Sequence, residues 1–101
     1  MSETELDSAC QQYLTLKGIF YWRNNTGALV SEYKGKKRFI RYGATGSPDI
    51  FALKDGKLIG IECKFGKNKQ SEGQIEFQRQ MEKNGAKYLL IYDIEQLLIK
   101  L

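Results

Sequence analysis

Asp49, Glu62 and Lys64 are the residues of this chain whose types and spacing suit joint chemistry. Asp55-Gly56 is a strong two-residue hairpin signal between two apolar segments, Asp49–Lys54 and Lys57–Lys64. Such a turn pairs Lys54 with Lys57. Continuing outward, Asp49 falls opposite Glu62, and Ser47 opposite Lys64. Directly opposed side chains carry Cβ atoms roughly 5 Å apart. Strand alternation places Glu62 and Lys64 on one face with Leu58 and Gly60. Ile59, Ile61 and Cys63 take the other face, and Gly60 leaves space opposite Phe51.

Two facing carboxylates repel, and a hard divalent cation relieves that repulsion. Mg²⁺ prefers carboxylate and carbonyl oxygens and keeps several waters. Such an ion polarises a phosphodiester and lowers the pKa of an attacking water. Lys64 would then orient the water or stabilise charge on the phosphate. The same three residues also fit a plain surface ladder in which Lys64 neutralises two acids, an arrangement that is common and weak.

Composition narrows the chemistry. The chain has 101 residues and no His. Ser-His and Cys-His nucleophiles are therefore excluded, and a general base must be a carboxylate, a Lys or a metal-bound water. Cys10 and Cys63 are the only cysteines, too few to fill a tetrahedral zinc shell. Net charge is +4, and eleven of the sixteen basic residues fall between Arg23 and Lys69. A basic middle suits a polyanionic partner and equally a soluble basic surface. At 42% hydrophobic residues the chain can build one core and one domain over residues 1–101. Its apolar runs are too short to span a bilayer, and the polar, acidic residues after Met1 are unlike a secretory leader. The expectation is a cytoplasmic protein without a membrane or small-molecule cofactor.

The elements that must position these residues follow from periodicity. Ser2 to Lys17 reads as a helix with Leu6, Cys10, Tyr13 and Leu14 at helical spacing. Ser2-Glu3-Thr4-Glu5 fits a capping box, and Gly18 a C-cap. Ile19–Asn24 reads as a strand, and residues 29–42 as a hairpin turning near Lys34-Gly35-Lys36. After the two central strands come a basic loop from Gly66 to Gln70, a helix from Ser71 to about Asn84, a strand over Lys87–Tyr92 and a short helix capped by Asp93. The order α-β-(β-β)-β-β-α-β-α predicts an α/β or α+β domain.

The ordered motifs resemble a known family. Ser47-Pro48-Asp49-Ile50, thirteen residues from Asp49 to Glu62, and Glu62-Cys63-Lys64 resemble the PD-(D/E)XK nuclease signature. The nearer resemblance is to the virus-type replication-repair (VRR-NUC) branch. It is carried by Trp22-Arg23-Asn24-Asn25-Thr26-Gly27, Gly46-Ser47-Pro48-Asp49, Glu62-Cys63-Lys64 and Ser71-Glu72-Gly73-Gln74. The resemblance implies a restriction-endonuclease-like core, a central mixed sheet flanked by helices. It implies Mg²⁺ or Mn²⁺ held by Asp49, Glu62 and the Cys63 carbonyl, with Lys64 catalytic, a helical acid and a supporting Gln. It also implies a homodimeric endonuclease of a bacterial cell or phage-infected host, acting in DNA repair on branched DNA such as four-way (Holliday) junctions.

Several assignments have two readings. Among the helical acids, Glu5 is the capping partner of Ser2 and Asp7 lies at the edge of the apolar stripe. Glu3 lies on the Leu6–Cys10–Leu14 face and is the favoured fourth ligand. Gln74 is either the capping partner of Ser71 or a site residue, since Gln74, Phe77 and Met81 form one core-facing stripe. Trp22 reads as a core residue rather than a DNA-stacking one. Arg23 and Asn24 are phosphate contacts or turn formers. Lys36, Lys37, Arg38 and Arg41 either track a DNA backbone or form a solvated hairpin. Ser47, Lys67 and Lys69 lie beside the expected metal and join the DNA-contacting set. The leading expectation is a Mg-dependent endodeoxyribonuclease. The alternatives are a non-catalytic DNA-binding module with a nuclease-like fold and a protein-interaction domain with an incidental basic surface.

Overall fold

The computed structural model describes residues 2–24, 27–33, 35–42 and 44–101, with 27–33 and 37–42 described through their backbone. Expectations resting on Asn25, Thr26 or Lys34, or on the side chains of Lys37, Arg38 and Arg41, lie outside the described residues.

Helix α1 (Glu3–Leu16) starts as its sequence dictates. The Ser2 hydroxyl accepts from the Glu5 N–H while the Glu5 carboxylate accepts from the Ser2 N–H. It ends before Gly18, which sits at φ +69. Strands β1 (Phe20–Arg23), β4 (Ile50–Lys54), β5 (Lys57–Cys63) and β6 (Lys87–Ile91) form one sheet in the order β1-β4-β5-β6. β1, β4 and β5 are antiparallel neighbours, while β6 runs parallel to β5. A parallel neighbour needs a crossover, and helix α2 (Glu72–Lys83) supplies it. Helix α3 (Ile94–Lys100) follows β6 behind the Asp93 N-cap. The intervening β2 (Gly27–Tyr33) and β3 (Lys36–Tyr42) pair as a separate hairpin with Tyr33 opposite Lys36. The domain is thus α+β with a mixed sheet, in the expected element order. Among the described residues no helix is long and apolar enough to cross a membrane.

The sheet is covered on both faces. Ile50, Ala52, Ile59, Ile61 and Cys63 face Leu6, Cys10 and Leu14 of α1 and Leu97 of α3, and together they make the core. The opposite face meets α2. Gly60 is central there, because a Cβ on it would lie 2.8 Å from Pro48 Cγ and 2.9 Å from Met81 Cε. The space expected opposite Phe51 is therefore filled by Pro48 and Met81.

Gly46 is more tightly constrained. It adopts φ +83, and a Cβ would drive into the Gly73 carbonyl and lie 3.0 Å from the Gln74 N. This approach docks the Ser47-Pro48-Asp49 loop on the first turn of α2. Gly46→Ala is expected to cost about 3 kcal/mol, from backbone overlap added to left-handed strain. Gly66→Ala bears similar strain at φ +60 but has open space around its Cβ, and should cost about 1 kcal/mol. Urea midpoints of the two variants check this; equal losses would mean that the Gly46–Gly73 approach does not constrain the loop.

Candidate active site

The turn at Asp55-Gly56 sets the site's register. Both residues have positive φ, +52 and +78, as the tight turn between twisted strands requires. Pairing runs from Lys54 opposite Lys57 to Ile50 opposite Ile61. Asp49 is the next residue out, just beyond β4, where the two strands part. Its Oδ2 accepts from the Cys63 N–H at 2.9 Å, so a side chain replaces the missing ladder bond. The N–H and C=O of one strand residue point to the same side of the strand. The Cys63 carbonyl is therefore directed toward Asp49 as well.

Glu62 and Lys64 lie on the α2 face. The Glu62 side chain is almost wholly buried and Lys64 nearly so, with 3.9 Å between Lys64 Nζ and Glu62 Oε1. Gln74 Nε2 donates to that same Oε1 at 3.0 Å. Among the described residues, Glu62 Oε2 is buried and has no hydrogen-bond partner. Burial, followed by the neighbouring Asp49 carboxylate, pushes the Glu62 carboxyl up to about 8, and Lys64 opposes the shift. Burial also raises the Asp49 pKa, against the Cys63 N–H. A buried acid with an orphaned oxygen, beside a second half-buried acid, costs stability unless a proton or a cation joins it.

Asp49 also reaches toward α1. A cleft of about 150 Å³ is lined by Glu3, Thr4, Asp7, Arg23 and Asp49. One oxygen of Asp7, one of Asp49 and the Cys63 sulfur lie within 4.8 Å of one another. The helical acid gathered against Asp49 is thus Asp7, not the expected Glu3. Asp7 is 8% exposed and its Oδ1 accepts from Gln11 Nε2. Glu3, one turn nearer the helix start, sits at the rim of the same cleft. Glu3 and Asp7 stand at the same spacing of three from the buried Leu6 and Cys10, so spacing alone does not separate them.

The Cys63 sulfur turns into the core as expected and lies 3.9 Å from Cys10 Sγ. The facing Cys10 thiol and then burial push the Cys63 thiol far up, so it stays protonated. The hard donor at this position is the carbonyl.

Gln74 closes the helix cap with Ser71 and also bonds to Glu62. Its Oε1 accepts from the Ser71 N–H at 2.8 Å, its own N–H donates to Ser71 Oγ, and its Nε2 reaches Glu62. Asn24, read as a phosphate contact or a turn former, and Ser47, expected as a DNA contact, bond to each other. Asn24 Nδ2 donates to Ser47 Oγ at 2.6 Å and to the Pro48 carbonyl at 3.0 Å, and its N–H donates to the Asp49 carbonyl. Ser47 is buried. Both side chains are used in fastening the loop that presents Asp49. Arg23, Lys36, Lys67 and Lys69 are exposed and open to phosphate, Arg23 at the edge of the acidic cleft.

No family model matches the chain, and no curated protein matches it in sequence. Two groups of side chains meet where β4 and β5 part: the buried Glu62 carboxylate with Lys64 beside it, and the half-buried Asp49 gathered with Asp7 of α1.

Proposed function

We propose that this protein is a divalent-metal-dependent DNA endonuclease of the PD-(D/E)XK kind, as its motifs suggest. The observation that carries the reading is the buried Glu62 carboxylate with its orphaned Oε2, set beside Asp49. The donor set is all oxygen, which suits Mg²⁺ or Mn²⁺. Asp49, Glu62 and the Cys63 carbonyl would hold the ion, with Asp7 as the helical acid. The ion supplies Lewis-acid polarisation of the phosphodiester and a water of lowered pKa.

The chain's own groups do the rest. Gln74 holds the Glu62 carboxylate by one oxygen, while the other is buried without a hydrogen-bond partner among the described residues. The Cys63 N–H fixes one oxygen of Asp49, and Asn24 anchors the loop behind it. Lys64 places a cation next to Glu62, where it orients the attacking water or meets charge developing on the phosphate. Lys67 and Lys69 extend positive potential along the approach of a backbone. Symmetric cutting of a branched junction needs two sites related by a two-fold axis, so the reading includes a homodimer.

The test is incubation with four-way junction, flap and linear duplex DNA, with Mg²⁺, Mn²⁺ or chelator. Cleavage is expected only with metal, and Asp49→Ala should remove it. Salt-sensitive binding without cutting would instead mark a DNA-binding module.

A further inference from the structure

The α2 face of the sheet is covered on its β5–β6 side and open on its β1 side. Four rings cross this open part. Phe20 and Trp22 have centroids 6.0 Å apart, Trp22 and Phe51 5.5 Å, and Phe51 and Phe77 6.4 Å. Phe20 is 65% exposed and Trp22 40%, so Trp22 is not the core residue its sequence context suggested. Strand pairing ties this row to the site. Trp22 lies opposite Phe51, Phe51 opposite Gly60, and Glu62 is the next residue of β5 on that face. From α2, Phe77 lies one turn beyond Gln74, which holds Glu62. The row therefore runs from the edge strand to the candidate active site.

We propose that this row is a stacking platform for unpaired nucleotides, which it leads toward the active site. The identity of the strand as DNA rests on the nuclease reading above. Flat aromatic faces accept bases of any sequence. In a duplex those base faces are closed by their neighbours, so the row selects single-stranded or splayed segments. Charge favours this occupant over a second copy of the chain. Between Arg23 and Lys69 there are eleven basic residues and four acidic ones, Asp49 and Glu62 among the four. A second copy brings the same net charge of +4 to any contact with this chain, whereas a polyanion complements it.

Trp22 is the only tryptophan, and its emission reports on the platform directly. The full chain is titrated with oligo(dT), and separately with a blunt duplex, in chelator so that nothing is cut. Anisotropy of a labelled strand follows binding in parallel. Oligo(dT) is expected to quench Trp22, and the duplex to leave it nearly unchanged. Phe20→Ser, at a largely exposed ring, should weaken oligo(dT) binding about tenfold with no effect on the duplex. Unchanged emission at saturation by oligo(dT) would overturn the proposal. So would emission that shifts with protein concentration alone, alongside dimer formation in sedimentation, because a second copy would then close the face. Quenching without metal-dependent cleavage supports the platform and sinks the nuclease. Cleavage with unmoved Trp22 emission does the reverse.

Discussion

Raising the pH of the metal-free protein from about 5 to about 8 should lower its stability by several kcal/mol. The cause is Glu62. Its carboxyl titrates near 8 in the fold against an ordinary 4.5. Through that window the folded protein keeps a proton that the unfolded chain releases. The stabilisation is complete below about pH 4.5 and is lost as pH rises through about 8, and Asp49, also shifted upward, adds to it in the same direction. Each pKa unit corresponds to about 1.4 kcal/mol. Urea unfolding in chelator at pH 5 and pH 8 measures the slope. Glu62→Gln should flatten it, and an unflattened slope in that variant would place its origin elsewhere. Saturating Mg²⁺ should restore stability at pH 8, by about 2.7 kcal/mol at a hundredfold excess over Kd. At pH 5 the proton competes with the ion, and the gain should be much smaller.

Lys64→Met is expected to reduce kcat for DNA cleavage by about a hundred- to a thousandfold while leaving Mg²⁺ affinity equal or higher. Methionine keeps an apolar stem in this nearly buried position and removes only the ammonium. That ammonium lies 3.9 Å from Glu62 Oε1, where it repels a bound cation. Its loss therefore helps metal binding and harms the reaction. A parallel fall in metal affinity and kcat would make Lys64 a structural neutraliser of the acid pair, as in the surface-ladder reading. Single-turnover cleavage over a Mg²⁺ series separates the two outcomes.

The parts of the site that were legible in the sequence are those set by local rules. Asp55-Gly56 determines a two-residue turn, and the turn determines every pair back to Ile50 and Ile61. Counting on from there sets Asp49 opposite Glu62, one step beyond the last pair of the ladder. Both capping boxes were legible because each closes within three residues. What was missed depends on how far one element reaches over another. Glu3 and Asp7 share the inward side of α1, and only the docking of the helix on the sheet decides which meets Asp49. Trp22 carries the apolar character of a core strand, yet β1 is the edge of the sheet and α2 does not extend over it. Asn24 was read as a phosphate contact or a turn former, with its partners left open. Its hydrogen bonds to Ser47 and Pro48 depend on a loop that returns more than twenty residues later.

Gln74 limits how this sequence can vary. One amide closes the helix cap through its oxygen and holds Glu62 through its nitrogen. Glutamate has the same length and caps a helix equally well, but it brings a second acceptor where Glu62 needs a donor. A shorter Asn reaches less far, and Lys or Arg cannot accept from Ser71. Drift at this position is therefore closed to the substitutions that ordinary helix starts tolerate, and the folding signal of α2 cannot be altered without also altering the site.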